Sequence, residues 1–316
     1  MAMRARLVGW LATLVMAWAS GACADGAVTE RTIERSDLSA TIYAPDDGST
    51  HPALLILGGA EGGREWAEAV ARRLAKEGYI ANAQTYFKGQ GLPEQLMDIP
   101  LERFQAAIDY LRQQPLVDRQ HLGVIGISKG AEAALVLAAH DNRVTAVVAA
   151  SPSDVVWQGI DRKGGAPASS WTFHGEPLAY VPFKPCPDCK GLLDLYHNSR
   201  SAGAVASASY IAVENIHGPV MLISSANDQV WPSTTMAHSI ADRLHRSGFP
   251  FAVDEVDYAE GGHFAFGIPP TEASAKEDTG FGGGDPGSLA KVRQDSWNRV
   301  IRFLAGALAT DATVSR

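Results

Sequence analysis

The sequence predicts an α/β fold in which a mostly parallel central sheet carries helices on both faces, and three observations lead there. The apolar runs at 53–57, 144–149 and 220–225 are continuous, the pattern of strands buried on both faces. Helical patterns lie between them. At 101–113, Phe104, Ala107, Ile108 and Leu111 recur at i, i+3, i+4 and i+7, one apolar stripe. Strands alternating with helices build a parallel sheet. Finally, the run 121–140 passes from an apolar strand through Gly126, Ile127, Ser128, Lys129 and Gly130 straight into an Ala/Leu-rich helix. Strand, sharp turn and helix, with serine at the apex, form a nucleophile elbow, and this context specifies the α/β-hydrolase fold.

Taken in order, the chain opens with a targeting segment over residues 1–24. Arg4 and Arg6 precede an apolar core at 7–18 and an Ala22-Cys23-Ala24 cleavage site. This predicts export to the periplasm or medium; a lipoprotein anchored through Cys23 is the competing reading. Residues 25–316 then form one domain. Segments 29–35 and 38–43 read as an antiparallel pair closed by a Pro/Asp/Gly turn. The strand 53–57 runs into a glycine-rich loop at 58–63. A helix at 64–77, a strand at 79–84, the helix at 101–113, the elbow and the strand at 144–149 follow. The pattern breaks over 153–217, a Gly-, Pro- and Ser-rich stretch carrying scattered aromatics. A structureless loop of that length is improbable unless functional. It falls where a lid would sit, so Trp157, Trp171, Phe173 and, beyond the insertion, Trp231 are candidate pocket residues. The parallel pattern resumes with a strand at 220–225, a helix at 233–246 and a strand at 251–257. A charged, Gly-rich loop at 274–287 and a closing helix at 288–308 complete it.

The net charge of −8 argues against nucleic acid and anionic membrane surfaces as partners. No segment beyond the leader is long and apolar enough to span a bilayer. In an exported chain, Cys186 and Cys189 are expected to form a small disulfide clip. No second ligand pair at matching spacing suggests a metal, and the 58–63 loop lacks the phase of a P-loop or dinucleotide motif, so no cofactor is predicted.

A serine hydroxyl attacks only when a base takes its proton, and that base needs an orienting acid. In this fold the order is serine, acid, histidine. Asp228 follows one buried strand and His263 the next, both at the carboxyl edge that bears Ser128, where such sheets collect their ligands. Asp154 is the competing acid. Oxyanion donors would be the backbone amide of Lys129 and that of Ala60 or Glu61. The side chains of Lys129 and Glu132 read as a surface ion pair at the helix start, of small energetic value.

LGGAEGG at 57–63, GISKGAE at 126–132, SWTFHGEPL at 170–178, DQVWPS at 228–233, Gly262-His263, GGG at 282–284 and DSW at 295–297 resemble one family. It is the C-terminal domain of acyl-CoA thioesterases and bile acid-CoA:amino acid N-acyltransferases, related to dienelactone hydrolases. The resemblance covers nearly all of the chain after the leader. It implies Ser128, Asp228 and His263 as a catalytic triad acting on a small-molecule acyl ester or thioester. It also implies hydrolysis rather than transfer, because transferring members carry cysteine at the elbow. The triad alone does not separate carboxylesters from thioesters. An acyltransferase, a prolyl-oligopeptidase-type peptidase and a non-catalytic binding protein of the same fold are the alternatives.

Overall fold

A computed structural model describes residues 27–201 and 205–309; the targeting segment expected at 1–24, with Cys23, lies outside them. Eleven strands and seven helices are present among the described residues. The strands are β1 (Val28–Glu34), β2 (Ser39–Pro45), β3 (His51–Leu57), β4 (Ile80–Thr85), β5 (Ile99–Pro100), β6 (Val117–Ile127), β7 (Ala146–Ala150), β8 (Trp171–Phe173), β9 (Glu176–Pro177), β10 (Val220–Ser225) and β11 (Val253–Tyr258). The helices are α1 (Glu65–Lys76), α2 (Glu102–Arg112), α3 (Lys129–His140), α4 (Leu192–Ser201), α5 (Ser233–Arg246), α6 (Glu272–Gly282) and α7 (Pro286–Ala307).

Eight strands form one sheet in the order β1-β2-β4-β3-β6-β7-β10-β11. The pairs β1/β2 and β2/β4 are antiparallel and every other pair is parallel. Alternation along β3 shows how both faces are covered. Ala53, Leu55 and Leu57 join the core beneath α2, α3 and α5, while Leu54 and Ile56 join the opposite core beneath α1 and α7. Helix α2 buries Phe104, Ala107, Ile108 and Leu111, the stripe legible in its sequence. Helix α1 has acids in its first turn and bases in its last, matching its dipole.

Two segments differ from expectation. The 274–287 stretch is not a loop, because most of it belongs to α6 and the first turn of α7. Thr271 caps α6, its hydroxyl accepting the Ser274 N–H, and the helix stops at Gly283 with φ 77°. Its glycines look like loop composition, yet three of them end the helix in conformations or spaces a side chain would not fit. The insertion is not structureless either. Its strand β8 pairs with β5 and β9 in a small second sheet, and α4 lies within it. Val155, Trp157, Val181, Tyr196, Trp231 and Met236 form a third apolar cluster, joining the insertion to α5 and the loop before it.

Candidate active site

Ser128, between β6 and α3, has φ 56° and ψ −124°, a strained conformation for a residue bearing Cβ. The turn tolerates only glycine on either side. A Cβ at Gly126 would stand 2.1 Å from the Gly130 carbonyl oxygen, and one at Gly130 would stand 2.2 Å from that of Leu57. The Ser128 amide donates to the Ala150 carbonyl (2.9 Å), and its own carbonyl starts α3 by accepting from Ala131 and Glu132. The side chain is therefore presented at the carboxyl edge of the sheet, beside the N-terminus of α3, where the helix dipole favours negative charge.

Asp228 and His263 meet at that edge. The imidazole Nδ1 lies 2.9 Å and 3.1 Å from the two carboxylate oxygens. Both residues are buried, at 3% and 2% exposure, so solvent does little to screen the pair. Asp228 Oδ1 also accepts from the amides of Val230 (2.8 Å) and Trp231 (3.2 Å), which fixes the carboxylate plane. A carboxylate held against Nδ1 keeps the proton there and leaves Nε2 as the basic nitrogen.

Backbone contacts hold the two loops in register. The Gly282 carbonyl accepts from both His263 N (2.8 Å) and Gln229 N (3.0 Å), so one oxygen ties the acid loop to the base loop. The His263 carbonyl accepts from Ser151 Oγ (2.6 Å), and the Gly262 amide donates to Ser225 Oγ (2.9 Å). Space here suits glycine alone. A Cβ at Gly283 would lie 2.2 Å from the Asn227 carbonyl oxygen, and one at Gly262 would lie 2.1 Å from that of Gly283. Behind them the buried Arg293 guanidinium donates to the carbonyls of Phe264 (2.8 Å) and Ile268 (3.2 Å) and to Asp278 (2.7 Å). Gly282 and Arg293 are not among the predicted site residues; the GGG run that begins at Gly282 and the DSW run just after Arg293 are the available signal.

The loop after β3 passes close to the serine: a Cβ on Gly59 would be 3.3 Å from Ser128 Cβ. The Tyr86 hydroxyl donates to the Gly58 (2.6 Å) and Gly59 (3.2 Å) carbonyls, and burial pushes its pKa well up, so it remains a donor. Arg162 from the insertion donates to the Ala60 carbonyl (2.9 Å) and Lys88 to that of Glu61 (3.0 Å). The Glu61 carboxylate folds back onto the Gly59 amide (2.9 Å). Among the described residues, the backbone amides of Lys129, Ala60 and Glu61 have no backbone acceptor.

Asp154 is engaged elsewhere, in a two-pronged pair with Arg200 of α4 (2.7 and 2.6 Å). Of the aromatic candidates, Trp231 sets its ring edge-to-face with His263 at 5.7 Å, and Tyr196 links it to Trp157 at 5.3 and 4.8 Å. Trp171 lies against Tyr86 and Phe104, and Phe173 against His140 and His174. Cys186 and Cys189 are joined as a disulfide. The surface reading of Lys129 and Glu132 is overturned, since their side chains are 1% and 0% exposed. The insertion covers a helix face that local sequence shows as polar. Among the described residues no cluster of His, Cys, Asp or Glu could hold a metal ion, and no helix is long and apolar enough to cross a membrane.

The chain is 28% identical over 285 residues to acyl-coenzyme A thioesterase 6 of Mus musculus, covering 86% of this chain and 63% of that one. It is 26% identical over 227 residues to acyl-coenzyme A amino acid N-acyltransferase 2 of Mus musculus, covering 70% and 51%. The chain thus spans between half and two thirds of these relatives. Among solved structures, it superposes on a dienelactone hydrolase-like promiscuous phosphotriesterase from metagenomic libraries with a TM-score of 0.56 and 17% identity, covering 90% of this chain and all of that one. That likeness shows the α/β-hydrolase fold. The profile described as BAAT / Acyl-CoA thioester hydrolase C terminal matches residues 99–310, a span holding Ser128, Asp228 and His263, and the chain belongs to that family.

Proposed function

We propose that this protein is a serine hydrolase that cleaves acyl thioesters or carboxylesters through an acyl-Ser128 intermediate. The observation that carries this reading is the buried Asp228–His263 pair at the sheet edge that also bears the strained Ser128. His263 Nε2 takes the Ser128 proton as Oγ attacks the acyl carbonyl, and Asp228 stabilises the imidazolium that forms. The amides of Lys129 and of Ala60 or Glu61 receive the developing oxyanion. His263 returns the proton to the departing thiol or alcohol, and water then repeats the sequence to free the acid. The thioester half of the reading is supported by the family and by relatives named as acyl-CoA thioesterases. The basic and apolar pattern at 1–24, read as a leader, places that action outside the cytoplasm in this proposal.

The test is burst release of p-nitrophenol from acyl esters of rising chain length, alongside thiol release from the matching CoA thioesters. Ser128→Ala should lower kcat by roughly 10⁴- to 10⁶-fold. Wild-type protein no faster than that variant on every substrate would end the reading. Transfer, the activity in the name of one relative, would appear as product partitioning toward an added amine.

A further inference from the structure

The buried pair beside the nucleophile has no part in the chemistry described above, and its surroundings point to a use. Lys129 Nζ donates to Glu132 Oε2 (2.6 Å) and to Ser170 Oγ (2.7 Å), with the Trp171 ring beneath it at 5.4 Å. Glu132 Oε1 accepts from Trp171 Nε1 (2.8 Å) and from the Trp157 amide (3.1 Å). Ser170 Oγ donates onward to the Trp157 carbonyl (2.8 Å), which closes the circuit. Apart from Lys129 and Glu132 themselves, every group in it belongs to residues 157–171 of the insertion.

Taking two ions out of water is costly, and well-packed apolar residues often serve stability as well. Stability is thus a weak reason for such a pair, whereas directional fastening is something apolar contacts do not supply. The location gives that fastening a consequence. Lys129 follows Ser128 directly and its amide is a proposed oxyanion donor. Trp157, held by Glu132, leads through Tyr196 and Trp231 to the His263 ring.

We propose that Lys129 and Glu132 are positioning residues: their pair fastens the insertion onto the start of α3 and so fixes both the wall beside the acyl site and the Lys129 amide before substrate binds. The catalytic part of this inference rests on the hydrolase reading; the fastening part does not.

Three variants test it, Lys129→Met, Glu132→Gln and the double Lys129→Met/Glu132→Gln, with Tm, kcat, KM and amide hydrogen exchange measured on each. The double variant leaves no isolated charge, so its Tm should return close to wild type. Its kcat on a short p-nitrophenyl ester should still be lower by about 10- to 100-fold, the range expected when a positioned group is misplaced by about an ångström. KM should change less, and peptides covering 157–171 should exchange faster while those of β6 do not. A double variant with wild-type kcat and wild-type exchange at 157–171 would overturn the proposal, leaving the pair merely structural. If wild-type protein shows no Ser128-dependent turnover, the hydrolase reading fails by itself; exchange then decides the fastening, and wild-type protection in the double variant would overturn it. Should the double variant not fold, Ser170→Ala removes one hydroxyl from the circuit. It should lower kcat by about 3- to 10-fold, with a smaller fall in Tm than either single charge variant shows, and unchanged kcat and exchange would contradict the proposal.

Discussion

The two sides of Ser128 are built by different physical means. On the side of β10 and β11, the loops bearing Asp228 and His263 are joined mainly at their backbone: a shared Gly282 carbonyl, backbone groups bound by the Ser151 and Ser225 hydroxyls and by the Arg293 guanidinium, and glycines packed too closely for any Cβ. On the other side, the insertion is held by buried charge, Lys129 with Glu132 and Asp154 with Arg200. Backbone contacts vary little with side-chain identity and give a fixed acid–base geometry. Charged side chains in a dry interior act through strict pairing, so that removing one partner harms more than removing both.

This contrast can be broken most severely at the acid. Asp228→Asn should retain the fold and lower kcat by about 10⁴-fold, because an amide does not hold the Nδ1–H tautomer; steady-state kinetics against an unchanged circular dichroism spectrum checks it. Next comes the clamp. Gly283→Ala forces a Cβ toward the Asn227 carbonyl at a φ of 77°. It should cost about 1–3 kcal/mol in urea denaturation and lower kcat through displacement of the acid loop, although residue 283 touches no reacting group.

On the charged side, pH exposes the difference. Burial raises the Glu132 carboxyl above its ordinary value of 4.5, and the Lys129 ammonium works against that rise. Lys129→Met removes the opposing charge, so the folded-state pKa climbs further. A carboxyl whose folded pKa is raised contributes stability below its unfolded pKa and loses it as pH rises through the folded value. The urea midpoint of Lys129→Met should therefore fall relative to wild type as pH rises above the ordinary carboxyl range, and Lys129→Met/Glu132→Gln should lose that slope. The smallest effect belongs to the clip at Cys186 and Cys189, which closes a loop of only four residues. Replacing both by serine should cost about 0–2 kcal/mol and leave kcat unchanged.

What could be read in the sequence follows the same division. The elbow at Ser128 and the strand-end positions of Asp228 and His263 are local patterns, each complete within a few residues, and the sheet follows from continuous apolar runs. Helix α6 was hidden because Gly280, Gly282, Gly283 and Gly284 have loop composition. The role of the last three as spacers against His263, Asn227 and Glu260 exists only after distant loops converge. Lys129 and Glu132 were misread for a related reason: at helical spacing they make an ordinary surface pair until Trp157, Ser170 and Trp171 pack over them. Burial of charge is a tertiary property, and no window around residue 130 contains it.

In the proposed mechanism every step depends on His263 activating Ser128. Reaction with a fluorophosphonate ester, followed by peptide mass spectrometry, tests this most directly. A single adduct on Ser128 is expected in wild-type protein, with labelling at least about 100-fold slower in His263→Ala. An adduct at another residue, or a His263→Ala protein labelled on Ser128 at the wild-type rate, would contradict it.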